Sequence, residues 1–255
     1  MGNSIFVSTS AGTYRSEDDG KSWIAIYDSL GKPVAGNLFN VDGSLFAVKY
    51  VENQVFEIGG LVNITPPRIY LLKSNERSWA PTQVPQGVRS VTAITAVGNT
   101  LFIGTDEGIY YRENDSESWK PTNTELRIGS SHNLVPLQDK RFVVVDEENP
   151  IYRGIGPSKV YRSDDNGETW QTASGGLGDD HIYALSVIDK TLFAGSSVGV
   201  YRSQDFGGSW HSMGPAYNAE GEALPFTVVR LVSNGDTLFA VVHSLHGPVK
   251  NGILR

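Results

Sequence analysis

Five tryptophans in this chain each close a short phrase rich in Ser and in acidic or amide residues, and successive phrases end 40 to 56 residues apart. The phrases are SEDDGKSW, SNERSW, ENDSESW, SDDNGETW and SQDFGGSW, which end at Trp23, Trp79, Trp119, Trp170 and Trp210. A second phrase, built on a Phe, recurs six times, at Phe6, Phe46, Phe102, Phe142, Phe193 and Phe239. Six copies in 255 residues give a period of about 42 residues, so each copy predicts one unit of supersecondary structure.

Each unit has the pattern of four short strands. In the copy that ends at Trp210, HIYALSVI alternates apolar and polar residues, and TLFAGS, GVYRS and SWHSM follow after short turns. No stretch shows helical periodicity over three turns, and 28 glycines suit tight hairpins. The sequence therefore predicts an all-β chain, a six-bladed β-propeller of four-stranded antiparallel blades.

The predicted organisation is one propeller domain over residues 1–255, with incomplete terminal blades. Its blades are predicted at approximately 1–30, 31–84, 85–125, 126–176, 177–215 and 216–255. The first blade begins at a second strand, and the last has no Trp phrase after its third strand. Two alternatives stay open: a ring closed by two three-stranded blades, or a chain that is one piece of a longer protein.

The phrase S-x-D-x-G-x-[ST]-W resembles the Asp-box, or BNR repeat, of sialidase-like, sortilin-like and photosystem-assembly-factor-like propellers. Three copies match it fully, and the copies that end at Trp79 and Trp119 are shortened and lack the Gly. The residues assigned to this structural motif are Asp18, Gly20, Trp23, Trp79, Trp119, Asp165, Gly167, Trp170, Asp205, Gly207 and Trp210.

These motif residues are predicted to be structural. The Asp carboxylate is expected to accept backbone N–H bonds inside the hairpin, and the Gly to supply a positive φ. The five Trp rings are expected to be mostly buried between neighbouring blades. A basic residue precedes each phrase, which favours a structural role for that position too: Arg15, Lys73, Arg112, Arg162 and Arg202.

The face opposite the Trp phrases is the predicted functional face. Long loops between the second and third strands, at 50–67, 146–158 and 243–252, alternate with short ones and project there. Strand register brings a mixed polar set to the same end: Tyr50, Arg89, Asp106, His132, Asp146, His181, Tyr183 and His243. This set is predicted as a ligand-binding site; solvated rim residues and a metal site with His243 and His246 are the alternatives.

Composition limits the possible functions. There is no Cys, which excludes disulfides, thiolate metal ligands and a Cys nucleophile. The net charge of −7 argues against nucleic acid as a partner, and no apolar run is long enough to span a membrane. No leader is visible at the N-terminus, so the expected compartment is the cytoplasm, or an extracytoplasmic one if the chain is an excised mature domain.

The resemblance to sialidases implies an arginine triad, a Tyr nucleophile paired with Glu, and an R-I-P-like motif near the N-terminus. The nearest match to that motif is Pro67-Arg68-Ile69-Tyr70, which is internal and has Tyr in place of Pro. No catalytic residue and no cofactor is therefore predicted. The predicted function is a non-catalytic binding or assembly propeller that recognises a protein partner, a glycan or a small molecule. A glycan-active or other small-molecule enzyme is the alternative.

Overall fold

The computed structural model describes residues 4–41, 43–50, 54–57, 60–63, 66–73, 76–113, 118–122, 131–149, 154–214, 216–217, 223–224, 226–244 and 252–254. All regular elements in these ranges are β-strands, which confirms the all-β prediction. The chain divides into two compact units, Met1–Lys120 (unit 1) and Pro121–Arg255 (unit 2). The single-domain organisation and the count of six blades stay predictions. Among the described residues, no helix has the length and hydropathy to cross a membrane.

Unit 1 holds three antiparallel sheets that follow one another along the chain. Sheet 1 consists of β1 (Ile5–Thr9), β2 (Gly12–Ser16) and β3 (Ile24–Ile26). Sheet 2 has the order β4-β5-β8-β9, with β4 (Asn37–Val41), β5 (Ser44–Lys49), β8 (Arg68–Leu72) and β9 (Ala80–Thr82). A separate hairpin, β6 (Gln54–Glu57) and β7 (Gly60–Asn63), lies in the loop between β5 and β8. Sheet 3 consists of β10 (Val91–Val97), β11 (Thr100–Thr105), β12 (Gly108–Glu113) and β13 (Lys120–Pro121), where the boundary of the unit falls.

Unit 2 also contains three antiparallel sheets that follow one another along the chain. Sheet 4 consists of β14 (Ser131–Leu137), β15 (Lys140–Asn149), β16 (Gly154–Ser163) and β17 (Gln171–Thr172). Sheet 5 consists of β18 (Ile182–Ile188), β19 (Thr191–Ser196), β20 (Gly199–Ser203) and β21 (His211–Ser212). A short hairpin, β22 (Ala216–Tyr217) and β23 (Ala223–Leu224), precedes sheet 6, which consists of β24 (Phe226–Asn234), β25 (Thr237–Ser244) and β26 (Gly252–Leu254).

Apolar cores fill the space between consecutive sheets within each unit. In unit 1, Phe46 of sheet 2 packs with Ile103 of sheet 3. In unit 2, Phe142 of sheet 4 packs with Ile182 and Leu192 of sheet 5. The alternation of side chains along each strand places the repeated apolar positions on these facing surfaces. In sheets 2 to 6 the Phe phrase is thus the second strand, as predicted, whereas in sheet 1 it is the first strand, β1.

The segment 146–158 differs from its prediction as a long loop. Here β15 and β16 continue as one long hairpin, with Asp146 opposite Ser158 and Asn149 opposite Gly154. The apolar–polar alternation of the sequence ends near Asp146, but the backbone pairing continues beyond it. It can do so because the hydrogen bonds of an antiparallel ladder join main-chain groups and do not depend on side chains.

The prediction of buried Trp rings is wrong for Trp23. Trp79 and Trp210 are buried and Trp119 and Trp170 are half-buried, whereas Trp23 is 41% exposed. The Trp210 indole packs on the preceding sheet and donates to Ala173 O over 2.7 Å. The Trp23 indole instead donates to Gly20 O of its own turn over 3.1 Å.

Candidate functional site

Three turns share one hydrogen-bond pattern: residues 16–23, 163–170 and 203–210, here called the Ser-Asp turns. In the second of them, Asp165 Oδ1 accepts the Thr169 backbone N–H over 2.8 Å and the Ser163 hydroxyl over 2.8 Å. The Thr169 hydroxyl donates to the other carboxylate oxygen. Gly167 has φ +90°, a left-handed conformation that disfavours a side chain. Asp18 and Asp205 accept the same backbone bond in their own turns, so the predicted carboxylate contacts are present.

These hydrogen bonds favour the ionised carboxylates. Bonds from the Ser209 hydroxyl and backbone N–H lower the pKa of Asp205 to about 2, and the equivalent bonds from Ser22 lower the pKa of Asp18 to about 2. Burial raises the pKa of Asp165, but its hydrogen bonds with Thr169 and Ser163 outweigh that effect and hold the pKa below 3.8. The turn carboxylates are therefore charged acceptors that fix the hairpins.

We expect Asp165→Asn to lower the free energy of unfolding by about 1–3 kcal/mol at pH 7, because an amide is a weaker acceptor for these bonds. The pKa of the folded state lies below that of the unfolded state. The contribution of the carboxylate is therefore complete above about pH 4 and is lost as the pH falls through the folded pKa.

Urea denaturation at several pH values measures this effect. The stability gap between wild type and Asp165→Asn should narrow as the pH falls from about 4 to about 2. Asp179→Asn, which changes an exposed carboxylate, is the control and should stay near wild type. A difference in the free energy of unfolding that stays constant over this pH range would contradict the assignment of Asp165 as a charged acceptor.

At the opposite end of unit 1, the predicted residues Tyr50, Arg89 and Asp106 lie around the start of β10. Asp106 Oδ1 accepts the backbone N–H groups of Arg89 and Ser90 over 3.0 and 2.9 Å. The Tyr50 hydroxyl donates to Val91 O over 2.8 Å. Burial and, less strongly, the charge of Asp106 raise the pKa of Tyr50. These polar groups hold the beginning of an inner strand in place.

In unit 2, the corresponding end brings together Asp146, His181 and Tyr183. The buried Ser158 hydroxyl donates to Asp146 Oδ1, also buried, over 2.7 Å, and Ser158 Oγ lies 3.3 Å from His181 Nδ1. The His181 and Tyr183 rings are tilted by 31° with centroids 6.1 Å apart. The structure thus connects two of the predicted site residues, Asp146 and His181, through Ser158, which the sequence did not single out.

The Ser158 contacts determine the chemistry of the imidazole. Because the single hydroxyl proton goes to Asp146, Ser158 Oγ is an acceptor for His181 Nδ1–H, a tautomer assigned from the hydrogen-bond network. In the neutral ring, a proton on Nδ1 leaves Nε2 with a lone pair. The neutral form of His181 can therefore accept a hydrogen bond from a ligand at Nε2.

An exposed apolar strip crosses the same end of sheet 5: Tyr183, Val198 and Met213, which we call the sheet 5 strip. Their side chains are 40%, 58% and 54% exposed. Tyr183 lies at the start of β18, Val198 in the turn between β19 and β20, and Met213 directly after β21. The strip therefore extends from the first to the fourth strand of the sheet.

Two further predicted residues lie in strands of unit 2. His132 is in β14, and His243 is exposed in β25 opposite Thr227. His246 lies outside the described residues. Among the residues that the structure describes, no three His, Asp or Glu side chains are grouped closely enough to hold a metal ion.

Sequence reasoning missed two adjacent cavities in unit 1, of about 340 and 500 Å³. Both are lined by Leu71, Lys73 and Arg112, at the end of sheets 2 and 3 opposite the Tyr50–Asp106 group. The Arg112 guanidinium lies 4.8 Å from the Trp119 ring centre and donates to Thr82 Oγ1 over 3.0 Å. One sequence feature could have indicated these cavities: the two shortened Trp phrases belong to sheets 2 and 3.

No protein-family model matches the chain, and no curated protein matches it in sequence. Solved structures that resemble it include a YCF48 protein and two GH74 enzymes. YCF48 from Cyanidioschyzon merolae is 13% identical with a TM-score of 0.61, and the match covers 99% of this chain and 79% of that one. The GH74 enzyme of Niastella koreensis is 14% identical with a TM-score of 0.61, covering 93% and 38% of the two chains. An ancestral GH74 enzyme is 14% identical with a TM-score of 0.68, covering 94% and 37%.

The chain thus spans about two fifths of the length of the GH74 proteins that it matches. At this level of identity the likeness concerns the fold. Together with the consecutive antiparallel sheets, it shows that the chain has the all-β fold of the β-propellers.

Proposed function

We propose that the protein is a non-catalytic binding propeller whose ligand is held at the end of sheet 5 opposite the Ser-Asp turns. The observation that carries this proposal is the sheet 5 strip next to His181. Exposed apolar side chains that cluster beside fixed polar groups are typical of binding surfaces. The buried Asp146–Ser158 pair holds the imidazole, so its acceptor is preorganised.

The extent of the strip favours a protein partner. Neighbouring strands lie about 4.8 Å apart, so the first and fourth strands of a sheet are separated by about 14 Å. That span is wider than one sugar ring and suits an apolar patch on another protein. Tyr183 and Met213 belong to residue types enriched in the centres of protein interfaces.

A glycan is the second candidate, and the exposed Tyr183 ring beside His181 is the observation that favours it. An aromatic ring stacks on the apolar face of a sugar, and Nε2 accepts a hydrogen bond from a sugar hydroxyl. A GH74 xyloglucanase from Xanthomonas campestris, 12% identical with a TM-score of 0.61, has a similar fold, and this chain covers 40% of it. In the alternative of a glycan-active enzyme, Ser158 does not fit the role of nucleophile, because its proton is donated to Asp146 rather than to His181.

Site-specific photo-crosslinking distinguishes the candidates. A benzophenone amino acid is placed at Met213 in the full chain, and at Val232 of β24, also exposed, as the control. After exposure to extract of the source organism, we expect the Met213 probe to form one discrete protein adduct that the Val232 probe does not form. The same adduct from both positions would overturn the proposed location. Saturable binding of xyloglucan heptasaccharide that is lost in Tyr183→Ala would favour the glycan instead.

A further inference from the structure

β1 is far more exposed than its counterparts in the repeat. Val7 is the residue after the repeated Phe, and its side chain is 41% exposed. At the same position, the second strands of the other sheets carry residues that are at most 6% exposed: Ala47, Ile103, Val143, Ala194 and Ala240. Ile5 of β1 is likewise 43% exposed. A strand with the composition of a buried strand thus lies at the surface.

The difference follows from strand order. In sheets 2 to 6, an inner first strand pairs antiparallel with the second strand and covers it. In sheet 1 the order is β1-β2-β3, and no described strand of unit 1 pairs with the other edge of β1. The sequence IFVST contains no charge and no Pro, the devices that usually protect an edge strand from pairing.

The five complete pairs define what fits beside β1. The residue opposite the Val7 position is Leu or Ile in every one of them: Leu38, Ile94, Leu134, Leu185 and Leu231. The residue opposite the repeated Phe varies, from Phe39 to Thr95 and Ser186. A Leu or Ile opposite the Val7 position is therefore the feature that all five complete pairs share.

We infer that β1 is a docking edge for an extended segment of a partner protein, which adds antiparallel along the edge of β1 that no described strand of unit 1 pairs with. The segment supplies about five residues, with Leu or Ile opposite Val7. Main-chain hydrogen bonds to β1 provide affinity, and the aliphatic side chain provides specificity. This edge is distinct from the sheet 5 strip, so its test is independent of the proposed function.

The test uses a fluorescein-labelled peptide with the sequence of residues 181–189, HIYALSVID, which carries Leu185 at the position that would oppose Val7. Fluorescence anisotropy with the full chain should show saturable binding below about 1 mM. The same peptide with Leu185→Asp should bind at least about tenfold more weakly, because a charge would face apolar side chains.

Two protein variants locate the binding. Val7→Lys should weaken peptide binding by at least about tenfold, whereas Ile24→Lys, at an exposed position on the outer strand of the same sheet, should leave it within about twofold. Circular dichroism melts verify that both variants are folded. The absence of saturable binding, equal binding of the two peptides, or full binding by Val7→Lys would each overturn the inference.

Discussion

Replacing Trp79 by alanine is expected to lower the free energy of unfolding by about 3–5 kcal/mol. Trp79 has no exposed surface, and its ring lies in the core between sheets 1 and 2 with Ile26 and Val34. Removing it leaves a cavity where two sheets meet. Among the described residues, its indole N–H has no acceptor, so the expected loss is one of packing and not of a side-chain hydrogen bond.

Trp23→Ala is the matched control. The two tryptophans close equivalent phrases, but Trp23 is 41% exposed and contacts its own turn. We expect this variant to lose less than about 1 kcal/mol. Equilibrium urea denaturation of both variants gives the comparison. Equal losses would contradict the different burial of the two rings.

Repetition made the strands predictable. An apolar residue at the same place in six copies indicates a surface that must be covered, and Phe102 and Phe142 are fully buried. The Ser-Asp turns were also predictable, because a carboxylate two residues after a Ser and four before the next Ser or Thr forms its contacts locally. Local geometry of this kind is encoded within eight consecutive residues.

Features that depend on contacts between distant chain segments were harder to predict from the sequence. Trp23 closes the same S-x-D-x-G-x-[ST]-W motif as Trp170, yet its burial depends on whether another sheet covers it, which a local phrase does not encode. The link from Asp146 through Ser158 to His181 arises from the pairing of β15 with an extended β16 and from the next sheet, over 35 residues of chain. The sequence predicts Asp146 and His181 at one end of the fold, but it places Ser158 in a loop.

The sheet 5 strip could be identified only in part. Tyr183 was predicted because it follows the start of an alternating strand. Val198 and Met213 lie in a turn and after a short outer strand, where apolar residues have no periodic pattern that would set them apart. Their exposure is a property of the folded sheet.

The effect of Val198→Asp on partner affinity tests the binding account most directly. Val198 is the most exposed residue of the strip and lies between Tyr183 and Met213, where a buried charge would remain unpaired in the complex. Burial of an unpaired charge in an interface is expected to cost about 2 kcal/mol or more, which corresponds to about a 30-fold loss of affinity.

Val232→Asp is the matched control, since it makes the same change at an exposed Val near the turn end of β24. Isothermal titration calorimetry with the partner captured at Met213 should show at least about a 30-fold loss for Val198→Asp and a change within about twofold for Val232→Asp. Unchanged affinity in a folded Val198→Asp protein would contradict the account and exclude this end of sheet 5 as the binding site.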